Sequence, residues 1–339
     1  MKKRKLGRIS AMVAASAMMM SLFGMNVSAE ESMTSVDVTK TVTTDGNTYA
    51  PNTTFNFSVA TAGAGEYDGN VVYAGVEGGL SAERGAAFSP SGSAPAASYE
   101  AKGSLEVDVS VFEKPGVYHY TVTETAGTYS GITYDNSSYD VYVYVYVDDN
   151  NDMYVGNVVS VKNGAKTGLA FTNDYGKDND GTHDLEVTKT IQGNQAVIDQ
   201  DFEFKVQING TTGEWYKVVV KEDAAATGAE SVIVGGTEYT YQITNGGSIR
   251  IYGLSNDDTY TVVETAANDD GYTTTIDGSA TKDGKATGVV TKDDTVISYV
   301  NAKNAVTPTG IIMTVAPYVL IVAAAGVLAV LFLRRRRSF

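Results

Sequence analysis

The 339-residue chain contains no cysteine, which excludes disulfides, thiolate metal sites, cysteine nucleophiles and Cys-Gln thioesters. Histidine occurs only as His119 and His183, too small an inventory for a zinc site or a histidine-based triad. No cofactor and no metal ion is expected. Runs of helical period are missing away from the two ends. The structured stretches are instead rich in Val, Thr, Tyr, Ile and Phe at period two, bounded by Gly, Asn and Asp, which is the signature of β-strands. Positive charge is scarce as well. Nine of the 25 Lys and Arg residues lie in segments 1–29 and 311–339, which hold no acid, leaving 16 basic against 40 acidic residues, or −24. A body this acidic repels nucleic acid and anionic lipid. The length suits two domains plus short extras.

The ends read as addresses rather than fold. Lys2, Lys3, Arg4, Lys5 and Arg8 precede an uncharged Met/Ala-rich run that closes on Val27-Ser28-Ala29, the layout of a secretory signal peptide over 1–29. At the other end Ile311 to Leu333 forms 23 uncharged, mostly apolar residues, enough to cross a bilayer even with Pro317 inside. Arg334 to Arg337 then act as a positive-inside stop in a cytoplasmic tail, 334–339. Just before the span stands Val306-Thr307-Pro308-Thr309-Gly310. A plain tail anchor has no use for such a pentapeptide. It resembles the cell-wall sorting signal of Gram-positive bacteria, usually Leu-Pro-x-Thr-Gly, which a sortase cleaves between Thr and Gly. Val306 stands here for Leu and Thr307 for Pro, with a proline in the variable place, as in the Pro-Thr-Gly signals of some sortase-assembled pilins.

Between the ends the sequence repeats itself. Val38-Thr39-Lys40-Thr41 answers Val187-Thr188-Lys189-Thr190, and Phe55-Asn56-Phe57-Ser58-Val59 answers Phe202-Glu203-Phe204-Lys205-Val206. Tyr120-Thr121-Val122-Thr123-Glu124-Thr125 answers Tyr260-Thr261-Val262-Val263-Glu264-Thr265, and each copy closes on an apolar strand ending in Asn173 or Asn301. The landmarks place one unit at 30–175 and another at 185–305, joined by a polar, glycine-bearing linker at 176–184. Both units are expected to be all-β, as tandem Ig-like β-sandwiches. Asp178-Asn179-Asp180-Gly181 lacks the downstream Glu of an EF-hand loop and reads as a solvated turn. In Val141 to Val147 valines and tyrosines alternate, as in an inner strand whose Tyr face packs under a loop or hairpin, or else a lateral contact surface.

Strand parity gives the sharpest signal, because residues two apart share a face. Lys40 lies with Val36, Val38 and Val42, Glu124 with Tyr120 and Val122, and Asn173 with Leu169 and Phe171. The second unit repeats the pattern with Lys189, Glu264 and Asn301. A single such residue would be an ordinary strand end or half of an ion pair. A Lys, Glu, Asn order recurring on first, middle and last strands calls for another account, since burying a charge is costly unless it is paired or neutralised. Burial lowers a lysine pKa and raises a carboxyl pKa, so Lys and Glu can both be neutral. The amine can then attack the Asn carbonyl while Glu polarises it and moves protons as ammonia leaves. The product is a Lys–Asn isopeptide.

With these residues the chain resembles the two-domain shaft pilins of Gram-positive bacteria, built from Ig-like pilin isopeptide-linkage domains. The resemblance implies a structural subunit rather than an enzyme, with crosslinks Lys40–Asn173 and Lys189–Asn301 promoted by Glu124 and Glu264. It also implies sortase cleavage between Thr309 and Gly310, joining Thr309 to a lysine of the next identical subunit. Other implied partners are accessory pilins and peptidoglycan, with the membrane touched only by the precursor. The place of the linking lysine, several residues before the isopeptide Asn, falls to Lys166, with Lys162 as runner-up. A surface adhesin attached singly to the wall shares every feature except that acceptor.

Overall fold

A computed structural model describes residues 32–305 apart from 178, 179 and 292. The expected signal peptide, sorting motif, membrane helix and basic tail lie outside the described residues. Among the described residues no helix is long and apolar enough to cross a membrane.

The first unit contributes β1 (Ser35–Thr43), β2 (Thr53–Phe55), β3 (Phe57–Thr61), β4 (Gly65–Tyr67), β5 (Asn70–Ala74), β6 (Ser81–Arg84) and β7 (Ala86–Phe88). It continues through β8 (Ser98–Glu106), β9 (Gly116–Glu124), β10 (Ser138–Val147), β11 (Met153–Lys162), β12 (Ala165–Lys166) and β13 (Ala170–Asp174). The second contributes β14 (Thr182–Gln192), β15 (Phe202–Asn209), β16 (Trp215–Lys221), β17 (Ala229–Val234), β18 (Glu238–Ile243) and β19 (Ser248–Ser255). It ends with β20 (Thr259–Glu264), β21 (Thr273–Ile276), β22 (Ser279–Ala280), β23 (Lys285–Val289) and β24 (Thr295–Ala302). The fold is thus almost entirely β-sheet.

Each unit has two facing sheets closed on an apolar core, the first with a further two-stranded sheet of β2 and β7. In the first, the order β13-β1-β8-β6 faces β12-β11-β10-β9-β5-β4, with β3 also on β9. Val38, Val42, Leu105 and Phe171 from one sheet meet Tyr120, Val122, Val141 and Val143 from the other. In the second, β17-β16-β19-β14-β24-β21-β22 faces β18-β15-β20-β23. There Leu185, Val187, Ile249 and Ile297 pack on Phe204, Val206, Ile243 and Val262. Period-two alternation drives this closure, each fully buried aliphatic or aromatic side chain contributing about 1.5–3 kcal/mol. First and last strands lie side by side and parallel in both units, β1 with β13 and β14 with β24.

The tyrosine face of β10 is covered at Tyr142 and in part at Tyr144, while Tyr146 stays 44% exposed. The β4–β5 hairpin curls over this face, so that Tyr67 stacks on Tyr142 at 4.0 Å while His119 stacks on Tyr142 at 4.7 Å. The hairpin turn is Asp68-Gly69, with φ of 53° and 75°, the left-handed pair that a two-residue turn needs.

β13 ends at Asp174 and β14 begins at Thr182, with Thr182, His183 and Asp184 already buried. Lys177 bonds Asp184 and Asp294 across this joint, and Arg250 also bonds Asp184. Beside it the units meet through a polar network. Tyr129 of the first donates to Glu214 of the second at 2.7 Å, and Tyr216 donates to both Glu214 (2.7 Å) and Asp258 (3.1 Å). Ser130 donates to the Asn256 carbonyl, Asn52 to that of Thr212.

Candidate functional site

In each unit the structure gathers the three polar residues that parity had placed on apolar faces. Lys40 lies opposite Phe171 on the parallel neighbour β13, and Asn173 lies opposite Val42, so Lys and Asn share a face one step apart. Glu124 comes from the facing sheet, where it pairs with Phe57. The second unit repeats every step, with Lys189 opposite Tyr299, Asn301 opposite Ile191, and Glu264 paired with Phe204. The duplication therefore extends to register, because a one-residue slip would turn each of these side chains to the other face.

The geometry is the same in both. Lys40 Nζ donates to Glu124 Oε2 at 2.7 Å, and Asn173 Nδ2 donates to Glu124 Oε1 at 2.7 Å. Lys189 Nζ donates to Glu264 Oε2 at 2.7 Å, with Asn301 Nδ2 on Glu264 Oε1. The side chains of both Lys–Glu pairs are 0% exposed. Aromatic rings close the sites, Phe55 5.0 Å from Lys40 Nζ and Phe202 4.0 Å from Lys189 Nζ. Burial pushes both lysines below their ordinary pKa, Lys189 to about 8, against the opposing pull of the Glu partner.

One carboxyl thus holds the amine on one oxygen and the amide nitrogen on the other. When neutral Nζ attacks the Asn side-chain carbonyl carbon, Oε2 is placed to take the amine proton and Oε1 to deliver a proton to departing Nδ2. Lysine amine and asparagine amide would become one secondary amide plus ammonia, with atoms and protons balanced. In the first unit the Asp135 backbone N–H donates to Asn173 Oδ1 at 2.7 Å, where negative charge would develop during attack. Asn301 Oδ1 has no hydrogen-bond partner.

Residue types alone do not make such a site. Lys217 Nζ lies 3.2 Å from Asn47 Oδ1 and 2.9 Å from Glu230, whose side chain is 58% exposed. The acid there stands in water, whereas Glu124 and Glu264 are enclosed between the sheets. Of the candidate acceptors, Lys166 sits on edge strand β12 with 59% of its side chain exposed, its Nζ 2.9 Å from Asp68 of the hairpin turn. Lys162 is half-buried over the ring of Tyr139. Thr309 and Gly310 lie outside the described residues.

Sequence reasoning missed the Asp135 amide, since a backbone donor leaves no mark on residue identity. It also missed the rings over the lysines, although Phe55 and Phe202 stood in the repeated Phe-x-Phe landmark.

Fold and site together define a class: tandem all-β units, each with a lysine and an asparagine bridged by one buried glutamate. Comparison with known proteins agrees. The Spy0128-like isopeptide containing domain matches residues 36–176, and the Domain of unknown function DUF7601 matches 183–303. A pilin of Streptococcus pyogenes serotype M1 is 30% identical over 246 residues, 67% of this chain and 69% of that protein. The pilus tip adhesin Cpa of Streptococcus pyogenes is 28% identical over 130 residues, 38% of this chain and 18% of that protein. Among solved structures, the major pilin T3.2 of Streptococcus pyogenes superposes with a TM-score of 0.62 at 27% identity, covering 81% of this chain and 99% of that one. A further Streptococcus pyogenes major pilin, at 23% identity, has a TM-score of 0.63 and the same fold, covering 80% of this chain and 99% of its own. The chain belongs to the streptococcal-type sortase-assembled pilins, structural surface proteins rather than enzymes.

Proposed function

We propose that the mature chain is the polymerising backbone subunit of a covalent cell-surface pilus, made of two Ig-like β-sandwiches at 30–175 and 185–305. Isopeptide bonds Lys40–Asn173 and Lys189–Asn301 lock the units, with Glu124 and Glu264 moving the protons. A sortase cuts after Thr309, holds its carbonyl as a thioester on the sortase's own cysteine, and passes it to Lys166 of the next subunit. Ammonia leaves the first reaction and the Gly310 amine leaves the second.

The observation that carries this reading is the doubled, fully buried Lys–Glu–Asn set, since a shaft that bears load needs subunits that do not unfold. Support for Lys166 over Lys162 comes from exposure, because the sortase thioester must reach the amine. Sortase, identical copies, accessory pilins and the peptidoglycan to which the fibre is finally attached are the implied partners. Adhesion and colonisation follow as roles of the assembled fibre.

A second reading, a singly attached adhesin, is favoured by the similarity to the tip adhesin over 130 residues. Boiled, detergent-treated wall extracts decide between them. A backbone subunit gives a regular ladder that collapses to single subunits in the Lys166→Ala variant, whereas one band from the wild type would establish the adhesin.

A further inference from the structure

Resting on the polymer reading, a second surface can be assigned from the places where the chain must be joined. The last described residue, Ala305, is four residues from Thr309, so the bond to the neighbour lies within about 13 Å of chain from it. Around that exit a loop is clasped to the end of β24. Gln195 N–H donates to the Lys303 carbonyl, Ala305 N–H to Asn194 Oδ1 at 2.7 Å, and Val197 N–H to Tyr272 Oη at 2.8 Å. The loop so held carries Val197 and Ile198, 51% and 50% exposed. An aliphatic pair on a loop tied by three hydrogen bonds is not a frayed end.

At the other linkage point the β4–β5 hairpin holds Lys166 by Asp68. Its inner face carries Tyr67 and Val72, packed on the tyrosine strand. Its outer face carries Glu66 and Val71, which are cross-strand partners, and Val71 is 73% exposed. Each linkage point thus has exposed aliphatic side chains nearby, Val197 and Ile198 at one and Val71 at the other, and a Thr309–Lys166 bond would bring them to one joint.

We infer that in the fibre Val197 and Ile198 of one subunit pack on the outer face of the hairpin, Glu66 and Val71, of the subunit that its Thr309 joins. Lys303, next to the loop over Tyr272, meets Glu66 in the same contact. Three aliphatic side chains are far below the roughly 1,000 Å² that a stable free complex needs, so single subunits do not associate through it. After linkage the effective concentration is of millimolar order and a small contact suffices to order the joint. The contact is heterologous, one end on the other, and such contacts propagate as open filaments.

Hydroxyl-radical labelling of shed wild-type fibres, compared with single subunits from the same cells, is the test. Val71, Val197 and Ile198 should be protected roughly threefold or more in the fibre while exposed Val289 is unchanged, the burial of an interface core. Equal labelling would overturn the contact. Pairing is read with Val71→Cys/Ile198→Cys in a chain that has no other thiol. Diamide, which takes up the two thiol hydrogens, should link position 71 of one subunit to 198 of its neighbour in the ladder, but not in single subunits. Protection without that disulfide would move the contact to another partner surface, such as the chain's own residues 306–309. A missing wild-type ladder would instead defeat the polymer reading, and a ladder that survives Lys166→Ala would defeat the acceptor assignment.

Discussion

Lys40 and Asn173 stand on adjacent parallel strands exactly one side-chain step apart, and Lys189 and Asn301 repeat that offset across a different pair of strands. Parallel neighbours hold such an offset only if the chain returns to its first strand in a fixed register, so what is duplicated is the whole closure of the unit. The shared glutamate then sits across the core from both partners.

Crosslinking removes one ammonia per unit. The folded body should therefore weigh about 34 Da less than its sequence, and Glu124→Ala and Glu264→Ala should each restore about 17 Da. Intact-mass spectrometry reads this directly. An unshifted wild type would remove the crosslinks, and a full deficit in both variants would move the proton relay to other groups.

The two units should not react at the same rate. Asn173 Oδ1 has the Asp135 amide as donor and Asn301 Oδ1 has none, and removing one such donor slows acyl chemistry by about 10²–10³-fold. Newly synthesised chain followed by peptide mapping should show the Lys40–Asn173 bond first. Lys189–Asn301 appearing first would show that the donor does not govern the rate.

The junction between units should weaken as pH rises. Burial, then the nearby Glu214 carboxylate, with Asp257 adding a smaller effect, pushes Asp258 up to about 7 against the opposing bonds from Ser255 and Tyr216. Tyr129 and Tyr175 face the same cluster. The proton is bound more tightly in the fold than in the unfolded chain, so this stability is complete below about pH 4 and lost as pH rises through 7. The melting temperature of wild type minus that of Asp258→Asn should fall by roughly 5 °C or more between pH 5 and pH 8. A constant difference would mean that Asp258 does not titrate there.

Under load the bonds should have different tasks. In the proposed fibre, tension from Thr309 to Lys166 would cross Lys189–Asn301 and bypass residues 190–300, 111 in all. It would touch the first unit only along β12 and β13. Single molecules pulled between position 166 and a handle after Thr309 should lengthen by roughly 370 Å in Lys189→Ala, at about 3.3 Å per residue, and little in Lys40→Ala. Equal lengthening would place the load on another path.

Much of this site was legible because strands have a period of two. Lys40, Glu124 and Asn173 each broke an apolar stripe, and the repeat supplied a second, independent copy of the same three breaks. The cover over Tyr142 was legible too, as an unpaired face of tyrosines, although not which segment supplied it. The junction was not legible. Glu214 and Asp258 lie in polar, glycine-rich stretches indistinguishable from solvated turns, and neither has a counterpart in the first unit, so parity and repetition were both silent. Their burial is decided by the contact between units.

Each glutamate reaches both nitrogens only when two sheets and the first and last strands have closed around it. The proposed bond could then not form in a partly assembled unit, and once its ammonia had diffused away nothing in the surroundings would reverse it. A crosslinked unit would therefore be a permanent record that its chain once reached the finished fold. Torn open later by heat or shear, it would still hold its closure and could find its way back.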